Sequence, residues 1–231
     1  MSDNTNHAQQ SGYTLAELLI SLFIIGLLAA TLVSLYTIFF DNTLRNNYQA
    51  RLAVESQGIL RSIVEELRVS SGIRATSMPD SNVVGGGANW STSNANLVLI
   101  IATPAVDDTN TILFNTNDGK PYLNELVYYA AGGKLFKRYL VDPLATNNRY
   151  QTSCPPNLAS STCPSDVLLS DHFKTMTFDF YDQDNVVINQ STGDITKARS
   201  IQLNIDMEHK TFGQIVTYNN KIRMTMRNNQ L

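Results

Sequence analysis

Hydrophobic and polar positions change rhythm twice along this chain. From Leu18 to Phe40 the sequence runs 23 residues without a charge and is mostly apolar. At 1.5 Å per residue that run makes a helix of about 35 Å, enough to cross a bilayer core. After Phe40 the pattern becomes amphipathic. Leu52, Ile59, Leu60, Ile63, Val64 and Leu67 recur at helical spacing, while Arg51, Glu55, Arg61, Glu65 and Arg68 lie mostly elsewhere. Arg61 and Glu65 stand at i,i+4, where opposite charges meet on a helix surface. No proline interrupts Tyr13 to Val69. The pattern predicts one long helix, its first half suited to a membrane and its second half packed against a domain. Ser70-Ser71-Gly72 is the expected stop, with the glycine free to take a left-handed conformation.

The stretch Ile73 to Asn96 is rich in Ser, Asn and Gly and reads as a long loop. Its Gly85-Gly86-Gly87 is not followed by Gly-Lys-Ser/Thr, so a phosphate-binding loop is not indicated. Beyond it the period turns to two. Leu97 to Ala102 is a continuous apolar run, the mark of a buried strand. Glu125 to Tyr129 and Lys134 to Val141 flank Ala130-Ala131-Gly132-Gly133, a hairpin signal with glycines where positive φ is needed. Met176, Phe178 and Phe180 alternate with polar neighbours, and a turn at Asp182-Gln183-Asp184-Asn185 leads to Val186 to Ile188. Ile201, Leu203, Ile205 and Met207 alternate likewise, as do Ile222, Met224 and Met226. Each is expected to be a half-buried strand of an antiparallel sheet with one wet face. Asp142 to Leu169 is expected to be a second long loop. The expected fold class is α+β: a long N-terminal helix, membrane-spanning and then amphipathic, followed by an antiparallel β-rich head. The expected divisions are a polar leader at 1–12, an apolar half-helix at 13–40, an amphipathic half at 41–70 and the head at 71–231.

Composition narrows the function classes. The chain has 231 residues, 43% of them hydrophobic, a net charge of −3 and a pI of about 5.6. It presents no overall basic field to attract nucleic acid, and no nucleic-acid partner is expected. The leader Met1 to Gly12 lacks the apolar core of an ordinary secretory signal peptide. There is no Gly-x-Ser-x-Gly and no His-Glu-x-x-His, and three scattered histidines offer no triad, so no enzyme and no cofactor is expected. One charge stands out. Glu17 is a lone carboxylate at the start of the apolar run, where an ionisable group is expensive without a specific partner. Gly26, Ala30 and Ser34, at i, i+4 and i+8, form a small-residue stripe that would let helices approach closely.

Gly12-Tyr13-Thr14-Leu15-Ala16-Glu17, set directly before the apolar run, resembles the N-terminus of a type IV prepilin or pseudopilin, a class III signal sequence. The resemblance implies that a prepilin peptidase cuts between Gly12 and Tyr13 and methylates the new amine of Tyr13. Glu17 then becomes the fifth residue of the mature chain and pairs with the N-terminal amine of a neighbouring subunit. Two departures stand: the leader has no Lys or Arg, and Tyr13 occupies a position usually held by Phe or Met. The first basic residue after the run is Arg45. The orientation, leader inside and head outside, therefore comes from the resemblance and not from charge bias. Arg51 to Arg74, Glu125 to Leu140 and Ala198 to Asn228 are similar, in that order, to J-type pseudopilins of type II secretion and W-type minor pilins. The implied role is a minor subunit of a pilus or secretion fibre that helps initiate or cap it. Its partners would be other pilins, the prepilin peptidase and the inner membrane. Alternatives are a major or adhesive tip pilin, or a single-pass membrane-tethered extracytoplasmic binding protein.

In such an exported head, Cys154 and Cys163 read as a disulfide pinning a loop of about ten residues. Zinc held with His172 and His209 is the alternative, and the spacing fits no common zinc pattern, so no metal is expected. Free thiols are the third option, in a compartment that is not oxidising. Asp179, Asp182, Asp184 and Asn185 could collect calcium but lack the glycine and distal glutamate of a calcium loop; a hairpin turn is the expected form. Lys221, Arg223 and Arg227 are expected to form a solvated strand face rather than a DNA-contacting one.

Overall fold

The computed structural model describes residues 14–84, 86–155, 163, 165–211 and 213–226. Gly12, Tyr13 and Arg227 lie outside the described residues. The chain divides into two compact units, residues 1–47 and 48–231.

Helix α1 spans Leu15–Val69. In the first unit every described residue up to position 43 is exposed, and the large apolar side chains from Leu18 to Phe40 are between 48% and 71% accessible. Its hydroxyls fold back on the helix itself: Ser21, Thr31, Thr37 and Thr43 each donate to a carbonyl three or four residues earlier. That habit removes the cost of a bare hydroxyl in an apolar medium. In the second unit α1 buries Leu52, Ser56, Ile59, Leu60, Ile63, Val64 and Leu67, one face at helical period. All six apolar positions expected there are on it. Ser56 joins them because its hydroxyl is satisfied by the Ala53 carbonyl at 2.9 Å and by the Asn220 amide at 3.2 Å. Arg61 pairs with Glu65 at 2.9 Å, in full solvent, where such a pair is worth a few tenths of a kcal/mol.

The helix stops where expected, but Gly72 is not a left-handed cap. Ser71 donates its amide to the Ala102 carbonyl at 2.8 Å, and strand β1 (Gly72–Ile73) begins at once, with Gly72 at φ 145°. The segment Ile73 to Asn96, expected to be all loop, therefore opens with a strand residue, Ile73. Strand β1 pairs with β2 (Val98–Pro104), β2 with β3 (Leu123–Ala131), β3 with β4 (Lys134–Leu140), and β4 with β5 (Val167–Ser170), all antiparallel. The β3–β4 turn is Gly132-Gly133, both at positive φ (58° and 73°), the geometry of the two-residue turn that matches strand twist.

A second sheet follows. It contains β6 (Phe173–Tyr181), β7 (Val187–Ile188), β8 (Ser200–Thr211) and β9 (Gln214–Thr225), in the order β7-β6-β8-β9. The strands thus form two antiparallel sheets, not one, and the chain passes between them at Asp171-His172.

The wet-face expectation holds for β6, whose residues alternate buried and exposed. It fails for β3, whereas β2 is buried on both faces, as its continuous apolar run indicated. Leu99, Ile101, Leu126 and Tyr128 enter the main core with the buried face of α1 and the inner face of the second sheet. Their neighbours Val98, Ile100, Val127 and Tyr129 enter a second core with Trp90 and Leu140, against which Met78 and Val83 pack. Met78, Val83 and Trp90 cover that second side, which is why β2 reads as an uninterrupted apolar run.

Candidate functional site

Strand β4 sends successive side chains to opposite faces. Lys137, on the α1 side, bonds Glu66 at 2.8 Å, and Tyr128 on β3 donates to the same carboxylate. Arg138, on the other side, is 1% exposed and stands at the centre of a charged cluster. Its Nε and Nη2 fork onto Asp166 at 3.0 and 2.6 Å, and its Nη1 donates to Asp80 Oδ2 at 2.8 Å. Trp90 Nε1 also donates to Asp80, at 2.6 Å, and the Tyr129 hydroxyl to Asp166, at 2.6 Å. The guanidinium lies 5.2 Å from the Trp90 and Tyr129 rings, within cation–π reach. Burial, reinforced by the Asp166 carboxylate, pushes the Tyr129 phenol well above its ordinary pKa, so it stays a donor.

One arginine thus bonds a carboxylate from each of two long connections, Asp80 between β1 and β2 and Asp166 between β4 and β5. The disulfide Cys154–Cys163, with Cα atoms 5.4 Å apart, closes the second segment as expected. It withdraws both thiols from metal binding. Asn82, from the first segment, donates to Cys163 Sγ at 2.9 Å.

At the start of α1, Glu17 has a role that its charge alone did not suggest. The Thr14 amide and hydroxyl both donate to Glu17 Oε2, at 2.9 and 3.0 Å, and the Glu17 amide donates back to Thr14 Oγ1 at 3.3 Å. This is a capping box, which satisfies amides that the first helical turn leaves bare. Its signature, Thr-x-x-Glu before an apolar run, stands in the sequence but is easily passed over when Glu17 is considered only as a charge. Both bonds go to Oε2. Among the described residues none bonds Oε1. Gly26, Ala30 and Ser34 lie on exposed α1, and a Cβ built on Gly26 would have nothing within 4 Å.

The other candidates take their bland forms. Asp182 Oδ1 accepts the Asp184 and Val186 amides at 2.9 and 2.8 Å, with Asn185 at φ 64°, so this stretch is a side-chain-closed turn. Arg223 is not part of a free cationic face. It stacks 3.7 Å from the Tyr181 ring and bonds Asn185 and Ser200.

An exposed apolar surface the size of residues 18–40 exceeds what a soluble monomer presents and calls for lipid or other helices. The helix is long and apolar enough to cross a membrane. The prokaryotic N-terminal methylation motif matches residues 7–33. That supports a type IV pilin-like protein. The motif implies processing by a prepilin peptidase and assembly with other pilins, and together with the apolar helix it suits membrane anchoring. No curated protein matches the chain. The long helix and antiparallel sheets give the α+β architecture that such a subunit requires.

Proposed function

We propose that this chain is a minor pilin or pseudopilin, a structural subunit and not an enzyme, which helps initiate or cap a type IV pilus or a type II secretion-like fibre. Residues 1–12 are its cytoplasmic leader. Cleavage between Gly12 and Tyr13 and methylation of Tyr13 leave a charged amine on an apolar helix. The subunit waits in the inner membrane as a single-pass protein with its head outside, then enters the fibre by helix packing. Gly26, Ala30 and Ser34 are the close-approach stripe, and Glu17 receives the amine of a neighbouring subunit. The observation that carries this reading is the methylation motif at residues 7–33, set on a helix whose residues 15–43 are all exposed. The J- and W-type resemblance of the head favours a minor subunit.

Mass spectrometry of the mature N-terminus tests the processing: the expected species starts at methylated Tyr13, and an intact Met1 on the membrane-inserted protein refutes it. Glu17→Gln tests the pairing, because a glutamine keeps the capping box but not the charge. Losing the cap costs about 1 kcal/mol. Stranding a desolvated amine costs about 3–5 kcal/mol. Glu17→Gln is therefore expected to insert normally and fail to enter fibres, whereas Thr14→Val, which weakens the cap and keeps the charge, enters them. The reverse outcome would assign Glu17 to capping alone.

A further inference from the structure

Where the chain crosses from one sheet to the other, Asp171 and His172 face the helix residue Glu55. His172 Nδ1 lies 2.9 Å from Asp171 Oδ1 and 3.2 Å from Glu55 Oε2. A ligand atom from each of the three residues lies within 4.8 Å of the other two. Nδ1 is buried, yet no hydrogen bond of acceptable geometry reaches it. Donors held about 2.0–2.1 Å from one small ion stand about 3 Å apart around it, close to the two separations from His172 Nδ1.

We propose that Glu55, Asp171 and His172 form a binding site for a divalent transition-metal cation of the Zn²⁺ type. Charge favours this over a proton. Two carboxylates around an imidazolium leave a net charge of −1, whereas two carboxylates, a neutral imidazole and a dication sum to zero. One imidazole nitrogen among the donors favours a transition ion over calcium or magnesium, which prefer all-oxygen sets.

The site is also built to hold its shape. The His172 amide donates to Ser170 Oγ at 2.9 Å, and its carbonyl accepts the Glu208 amide at 2.8 Å. The His172 ring lies 4.9 Å from that of His209, which stacks on Tyr48 at 4.2 Å. The nearby cations Lys174 and Lys210 are taken up by Glu208, at 3.0 and 3.7 Å. An open cleft of about 520 Å³, lined by Asp171, His172 and His209, gives an ion a way in. With three protein donors the fourth position stays open to water or another ligand. The metal would tie α1 to the turn between the sheets, a role independent of the pilin reading.

The test is equilibrium dialysis of the full-length, tag-free chain in detergent, with its disulfide closed, against ZnCl₂, with metal content read by mass spectrometry. The expected result is one zinc per chain, retained in excess Ca²⁺ and Mg²⁺. His172→Gln and Glu55→Gln are each expected to weaken it more than about tenfold, since even outer-shell losses cost about that much. Failure to retain zinc, full displacement by Ca²⁺, or unchanged affinity in both folded variants overturns the proposal. If neither variant folds, Co²⁺ decides: the wild-type chain shows visible ligand-field bands if the site exists, and their absence overturns it.

Discussion

Replacing Arg138 with methionine removes the cation from the buried cluster and leaves its two carboxylates behind. The Arg138, Asp80 and Asp166 side chains are each 2% exposed or less, so water does not take over the lost role. Asp80 keeps Trp90 Nε1 and the Asn82 amide as donors, and Asp166 keeps the Tyr129 hydroxyl. These are neutral donors for full charges. Breaking a buried pair from one side typically costs about 3–5 kcal/mol. For a unit of this size that lowers the melting midpoint by about 10 °C. Asp166→Asn is the milder change, because it leaves one cation facing one carboxylate; about 1–2 kcal/mol is expected. The triple variant Arg138→Met/Asp80→Asn/Asp166→Asn removes every charge and should recover most of the single variant's loss, since neutralised ion clusters are often no less stable. Trp90 is the chain's one tryptophan and lies against Arg138, so its fluorescence during urea unfolding in detergent reports on the head and not on the apolar helix. A shifted midpoint at constant slope gives the free energy directly. An Arg138→Met loss below about 1 kcal/mol, or a triple variant no better than the single, would refute the reasoning.

Two further measurements use the same unfolding signal. The double variant Cys154→Ser/Cys163→Ser opens a loop of about ten residues and is expected to lose about 2.5–3 kcal/mol. A free-thiol assay on the exported wild-type protein should find none, and two reactive thiols would show that the bond does not form there. Burial raises the Glu125 pKa above its ordinary 4.5, against the opposing pull of the Met78 amide and Arg74. The folded state then holds that proton more tightly than the unfolded chain, so stability falls as pH climbs from about 4.5 through the raised value. Glu125→Gln removes this component while its amide oxygen can still accept from Met78, so it should gain on the wild type between pH 4 and pH 7; a constant difference across that range would contradict the assignment.

Local pattern determined much of this protein. The uncharged run and the 3.6-residue period of Leu52 to Leu67 fix α1 because both are properties of consecutive residues on one helix. Gly132-Gly133 fixes the β3–β4 hairpin because few other residues take two positive φ angles in succession. The methylation motif is legible for the same reason, being a matter of order and spacing. So is the Thr14–Glu17 capping box, once Glu17 is considered as a hydrogen-bond acceptor as well as a charge. What depends on distant partners was not legible. Strands β1 and β5 are too short to show a period and exist because a neighbouring strand offers its edge. The division into two sheets is decided by which strands meet, not by their composition. Arg138 finds Asp80 and Asp166, 58 and 28 positions away, only when β4 turns that side chain towards two irregular segments. Glu55 likewise meets His172 only when α1 lies beside the turn between the sheets. A charge in a sequence carries no label for its partner. Packing decides it, because only the folded arrangement brings the opposite charges close enough to offset the cost of burying them.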